Sequence, residues 1–118
     1  MSDIRANTIS DAAGTGPIDL HKQSAAKAFG TCSSSPELKS PSLNISSLVD
    51  TGTGHLTFNI TNAFTGTWYT VLGTGHSSAP RIVTVNDPQT GSFDLYIHNE
   101  GGTNVNTGVR CAVFGDLA

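Results

Sequence analysis

Among the side chains that could do chemistry, the adjacent pair Trp68-Tyr69 stands out, because the 118-residue chain holds one Trp and two Tyr. Neighbouring side chains in a strand point to opposite faces, so one ring is expected in the core and the other in solvent. An exposed ring beside Asn and Thr can stack on the apolar face of a sugar while the polar neighbours bond its hydroxyls. Alternatively, Trp68 closes the end of a core or packs at a subunit interface; the sequence leaves both open. Four histidines, His21, His55, His76 and His98, raise the question of a metal. None stands in a His-x-His or His-x-x-x-His pair or has carboxylates at ligand spacing, so surface or turn positions are expected, and no metal. Ser, His and Asp are all present, but no Gly-x-Ser-x-Gly segment orders a serine beside a histidine. Asp87 and Asp94 flank one hairpin, and Asp50 and Asp116 fall in turns. Turn aspartates usually satisfy backbone amides and do not supply the carboxylate pair that glycoside cleavage needs. Cys32 and Cys111 form no Cys-x-x-Cys pair and are expected as two buried thiols, with a disulfide left open. No enzyme and no cofactor are expected.

The elements that must position these residues announce themselves by alternation. Leu56, Phe58 and Ile60 alternate with Thr57, Asn59 and Thr61, and Phe93, Leu95 and Ile97 alternate with Asp94, Tyr96 and His98. That period of two is the mark of half-buried strands. Further strands are expected over 25–32, around Leu43 and Ile45, and over 68–72, 81–85 and 109–114, although 24–28 could also form one helical turn. The Ser33-Ser34-Ser35-Pro36 segment reads as a loop ending near Pro41. Gly52/Gly54 and Gly73/Gly75 read as turn chemistry, since no Lys-Ser/Thr follows to make a phosphate cradle. About seven strands with regular turn signals indicate an all-β, antiparallel β-sandwich over 25–118. Residues 1–24 are polar and turn-rich around Gly14-Thr15-Gly16-Pro17, and read as an extended N-terminal arm that orders only against a partner.

Composition agrees. Gly, Ser, Thr and Asn together fill about two-fifths of the chain, which favours short strands and turns over helices. Six Lys+Arg face nine Asp+Glu, for a net charge of −3 and no basic run, which argues against a nucleic-acid partner. No apolar stretch approaches the roughly 20 residues that cross a bilayer, so no membrane insertion is expected. The polar start lacks the apolar region of a signal peptide.

Several short blocks, in order, resemble bacteriophage fibre and spike proteins. They are Ile9 to Pro17 with Gln23 to Ala28, then Leu43 to Leu48 with the Asp-Thr-Gly-Thr-Gly turn and Leu56 to Thr61, and finally Val109 to Leu117. The segment Gly30-Thr31-Cys32 and the Ser/Pro loop after it depart from that pattern. The resemblance, to the C-terminal receptor-binding domain of phage tail or head fibres, implies a homotrimeric virion protein that adsorbs to the host surface, with no metal or catalytic residue carried over. A short chain with its own Met is expected to be a complete small fibre held by other virion proteins of the head or tail. The attachment residues would be Ile4, Ile9, Pro17, Ile18 and Leu20 of the arm, and the partner a host surface glycan or protein. The alternative is a capsid decoration or adaptor protein that binds only other virion proteins.

Seven strands running alternately would gather loops 50–54, 73–80 and 99–108 at the end where the arm enters. Loops 33–42, 62–67 and 87–91 would gather at the opposite, outward end. Loops on a rigid scaffold concentrate binding residues, so Asn62, Phe64, Thr65, Trp68, Tyr69 and Gln89 are the expected receptor-binding set.

Overall fold

A computed structural model describes residues 25–118 of the chain. The arm 1–24, with Ile4, Ile9, Pro17, Ile18 and Leu20, lies outside the described residues. Eight strands follow one another: β1 (Ala28–Cys32), β2 (Leu38–Leu43), β3 (Ile45–Gly52), β4 (His55–Ile60), β5 (Thr70–His76), β6 (Ile82–Gln89), β7 (Ser92–His98) and β8 (Gly108–Phe114). They form two four-stranded antiparallel sheets, ordered β2-β1-β8-β5 and β3-β4-β7-β6.

One core lies between the sheets. The first contributes Ala28, Cys32, Val109, Cys111 and Val113, and the second Ile45, Leu56, Phe58, Ile60, Phe93, Leu95 and Ile97. The alternating strands β4 and β7 are the clearest case: every second residue is buried, and Phe58 stacks on Phe93 with centroids 5.3 Å apart. Burying such side chains stabilises by about 1.5–3 kcal/mol each, which makes the central strands the backbone of the fold. The expected all-β sandwich is therefore the architecture of the described residues.

The strand count differs from the sequence expectation by one. Residues 38–41, read as the end of a loop, and Leu43, read in one strand with Ile45, belong to β2, an edge strand paired only with β1. Asn44 divides the expected Leu43–Ile45 strand in two. The β2 sequence Leu-Lys-Ser-Pro-Ser-Leu is exposed at five of six positions, so no alternation betrays it. Pro41 is tolerated because an edge strand does not need every backbone N–H for a ladder. The chain then crosses to the second sheet at Asn44 alone, which takes φ 55°, a conformation Asn adopts more readily than most residues. Strand β1 itself begins at Ala28, and no helical turn replaces it.

This extra strand changes which loops share an end. Ser34, Pro36, Gly54, Asn106 and Thr107 line one crevice, and the Thr107 hydroxyl donates to the His76 carbonyl, so the β1–β2, β3–β4, β5–β6 and β7–β8 connections gather together. At the opposite end lie the start of β1, Asn44, residues 61–69, the β6–β7 turn and residues 115–118. Lys27 N–H donates to Val113 O, Asn62 N–H to Asn44 Oδ1, Phe64 N–H to Thr90 O and Thr65 N–H to Asp116 O. The connections within the expected 50–54, 73–80 and 99–108 groups do share an end, but 33–37, expected opposite them, joins them there, and the chain enters β1 at the other end, beside residues 62–69. Gly73 and Gly75, read as turn glycines, lie inside β5, where they pair with Cys111 and Val109. The expected opposition between the start of the first strand and the 62–69 loop is corrected by β2: eight crossings, not seven, return the chain to the end where β1 begins.

Candidate functional site

The connection from β4 to β5 is pinned at both sides. The Asn44 side chain accepts from the Asn62 N–H at 2.7 Å and donates to the Asn62 carbonyl at 3.1 Å. Phe64 forms an isolated bridge with Leu117, and the Thr65 N–H and hydroxyl both reach the Asp116 carbonyl, at 2.9 and 3.3 Å. The first five residues of this nine-residue loop are thus anchored through their backbone groups, to Asn44, the β6–β7 turn and the C-terminal segment.

These ties leave a groove of about 320 Å³, bordered by Phe64, Thr65, Trp68, Tyr69, Gly115 and Asp116. Phe64 is buried and stacks on Tyr69 with centroids 4.5 Å apart, while Tyr69 meets Phe93 of the core edge-on at 6.3 Å. The Tyr69 hydroxyl stands 2.7 Å from the Gln89 carbonyl and 2.8 Å from that of Ser92, so its one proton is shared between them. Burial, and next the charge of Asp87, push the Tyr69 phenol up to about 12. Gly115 permits the close packing: a Cβ there would stand 2.7 Å from Tyr69 Cβ and 3.2 Å from the Phe64 ring. Trp68, in contrast, is 100% exposed. Among the described residues, the indole is thus left in solvent on the rim of a pocket whose wall is aromatic. Trp68 and Tyr69, expected to open a strand, precede β5, yet the two rings still part, with Tyr69 packed on the core and Trp68 in solvent; the reading in which Trp68 closes the core is excluded.

Of the six residues selected from the sequence, Phe64, Thr65, Trp68 and Tyr69 come together at the groove. Asn62 and Gln89 share its end but do not border it; the Gln89 side chain donates to Asp87 Oδ1. Sequence reasoning missed Gly115 and Asp116, which reach the groove only through pairing with residues fifty positions earlier. The only available signal was the turn-forming Gly-Asp pair itself.

A second polar group lies on the outer face of the β3-β4-β7-β6 sheet. Asp94 Oδ2 is 2.8 Å from His55 Nε2, and Asp94 Oδ1 accepts the Thr57 hydroxyl at 2.7 Å. His55 stacks on Tyr96 at 4.2 Å. His55 and Asp94 are distant in sequence, so only the β4–β7 register could bring them together. The Thr57 proton is committed to Asp94, so the group presents no activated hydroxyl to His55. Among the described residues no three His, Cys, Asp or Glu side chains are placed to hold a metal ion. Cys32 and Cys111 are buried and unbridged. Burial raises both thiols, Cys111 to about 12, against the lowering effect of backbone hydrogen bonds. Such thiols are poor nucleophiles. Comparison with protein-family models, with curated proteins and with solved structures returns no match for this chain.

Proposed function

We propose that the chain is a non-enzymatic binding module of a phage fibre or spike, which holds a host surface glycan in the Trp68 groove during adsorption. The observation that carries this reading is a fully exposed indole beside an aromatic-walled groove with Thr65 and Asp116 on its border. A flat apolar ring with hydrogen-bonding neighbours suits a sugar, which has an apolar face and a hydroxyl edge. Leaving Trp68 in water without a partner has no structural benefit to the described residues. The virion context rests on the sequence blocks set out above. The same reading includes a homotrimer on the virion, for which the outer face of the β2-β1-β8-β5 sheet offers a surface. There Leu43, Phe29, Ala112 and Leu72 align in register across all four strands, and Leu72 is 60% exposed.

One observation favours a second reading. The groove opens at the end where the chain enters β1, so a module held through its N-terminal arm would present the groove towards the particle. In that case the groove takes another virion protein, and the chain is an adaptor or decoration protein. Trp68→Ala separates the two, because a side chain that is fully exposed among the described residues removes no buried area from their fold when it is lost. Under the adsorption reading, particles carrying W68A assemble normally and bind intact host cells at least about tenfold less, as for loss of a central aromatic anchor. Under the adaptor reading, the variant is missing from purified particles. Normal incorporation with normal adsorption would sink both.

A further inference from the structure

We propose that the Trp68 groove selects uncharged or amine-bearing sugar rings and rejects acidic ones, with Asp116 setting that choice. The proposal rests on the saccharide reading above. Stacking uses the apolar face of a sugar ring, which neutral, amino and acidic sugars all have, so Trp68 alone cannot discriminate between them. Discrimination must come from the charges around the ring. Of the described residues bordering the groove, Asp116 alone is charged. Its backbone is fixed by the two bonds that its carbonyl accepts from Thr65, which hold the residue at the groove while its side chain stays exposed. A second carboxylate, Asp87, lies close enough to Tyr69 for its charge to oppose ionisation of the phenol. The groove's described border is therefore aromatic and carries one charge, which is negative, so the field at a bound ring is set first by Asp116. A cationic ammonium gains from that field, a neutral ring is indifferent to it, and a uronate meets like charge. The groove's 320 Å³ lies at the small end of ligand sites, with room for about one or two sugar rings.

Like charges near contact disfavour binding by about tenfold even with substantial solvent screening. Because Trp68 is the chain's one tryptophan, its emission reports on this groove alone. The test is a fluorescence titration of the full chain at low ionic strength and pH 6 with cellotetraose, a chitosan tetramer and a galacturonate tetramer, repeated with Asp116→Asn. Circular dichroism checks that the variant is folded. The expected result is a Trp68 response to the neutral or amine-bearing oligomer, with the uronate at least about tenfold weaker and the ratio falling to within about twofold in D116N. Uronate binding as tight as the neutral oligomer, or a ratio that D116N leaves unchanged, overturns the selectivity while the saccharide reading stands. Silence of Trp68 towards all three sugars overturns the saccharide reading, and the selectivity with it.

Discussion

Tyr69 works in two directions at once: its ring walls the groove, and its hydroxyl ties the β4–β5 connection to the carbonyls of Gln89 and Ser92. Tyr69→Phe keeps the ring and the stack on Phe64 but takes the donor from the half-buried Ser92 carbonyl and from the exposed Gln89 carbonyl. The expected cost is about 1 kcal/mol in chemical denaturation at pH 7. The raised phenol adds a pH dependence. Below pH 10 both folded and unfolded states hold the proton, and the stabilisation is complete. Between pH 10 and about 12 the unfolded chain ionises while the folded one does not, so stability falls as pH rises. At this partly solvated ring the loss amounts to about 1 kcal/mol once screening is allowed for. Urea midpoints at pH 9 and 11 should therefore separate less for Y69F than for the parent chain; equal separations would remove Tyr69 from the account. Cys111 acts in the same sense, holding its proton in the folded state up to about 12.

At the level of elements, the tight β3–β4 connection is the most exacting. Gly54 has φ +64°, its N–H donates to Asn106 Oδ1 at 2.7 Å, and its carbonyl accepts from Ile97 at 2.8 Å. An added Cβ would stand 2.6 Å from the Ile97 carbonyl oxygen, which is backbone and cannot swing away. Gly54→Ala is expected to cost about 2–4 kcal/mol, from left-handed strain plus overpacking, measured as a lowered urea midpoint with an unchanged slope. The central strands were legible in the sequence because both faces of their sheet differ: Leu56, Phe58 and Ile60 against Thr57 and Asn59. Strand β2 was not, because an edge strand that buries almost nothing has no alternation to display, and Ser40-Pro41-Ser42 resembles a loop. The groove was half legible. An aromatic doublet is visible at any fold, whereas Gly115 and Asp116 join it only through the Thr65 to Asp116 bonds, a pairing that no local pattern encodes.

For the whole molecule, the apolar row Leu43, Phe29, Ala112 and Leu72 crosses the outer face, with Phe114 one register step to one side and Arg110 one step to the other. If the proposed trimer uses it, Leu72→Lys should bring the mass by light scattering down to that of one chain while the far-ultraviolet dichroism stays the same. A trimer that persists in the variant would move the contact to another face. The return of the chain to its starting end also has a mechanical meaning. Ala28 pairs with Val113, and Gly115 and Asp116 follow directly at the groove. A pull applied between the segment preceding β1 and a ligand held at Trp68 would therefore run through a few residues at one end of the sandwich. The central strands β4 and β7 and the far crevice around Gly54 would be bypassed, so the module would act under load as a clasp and not as a rod.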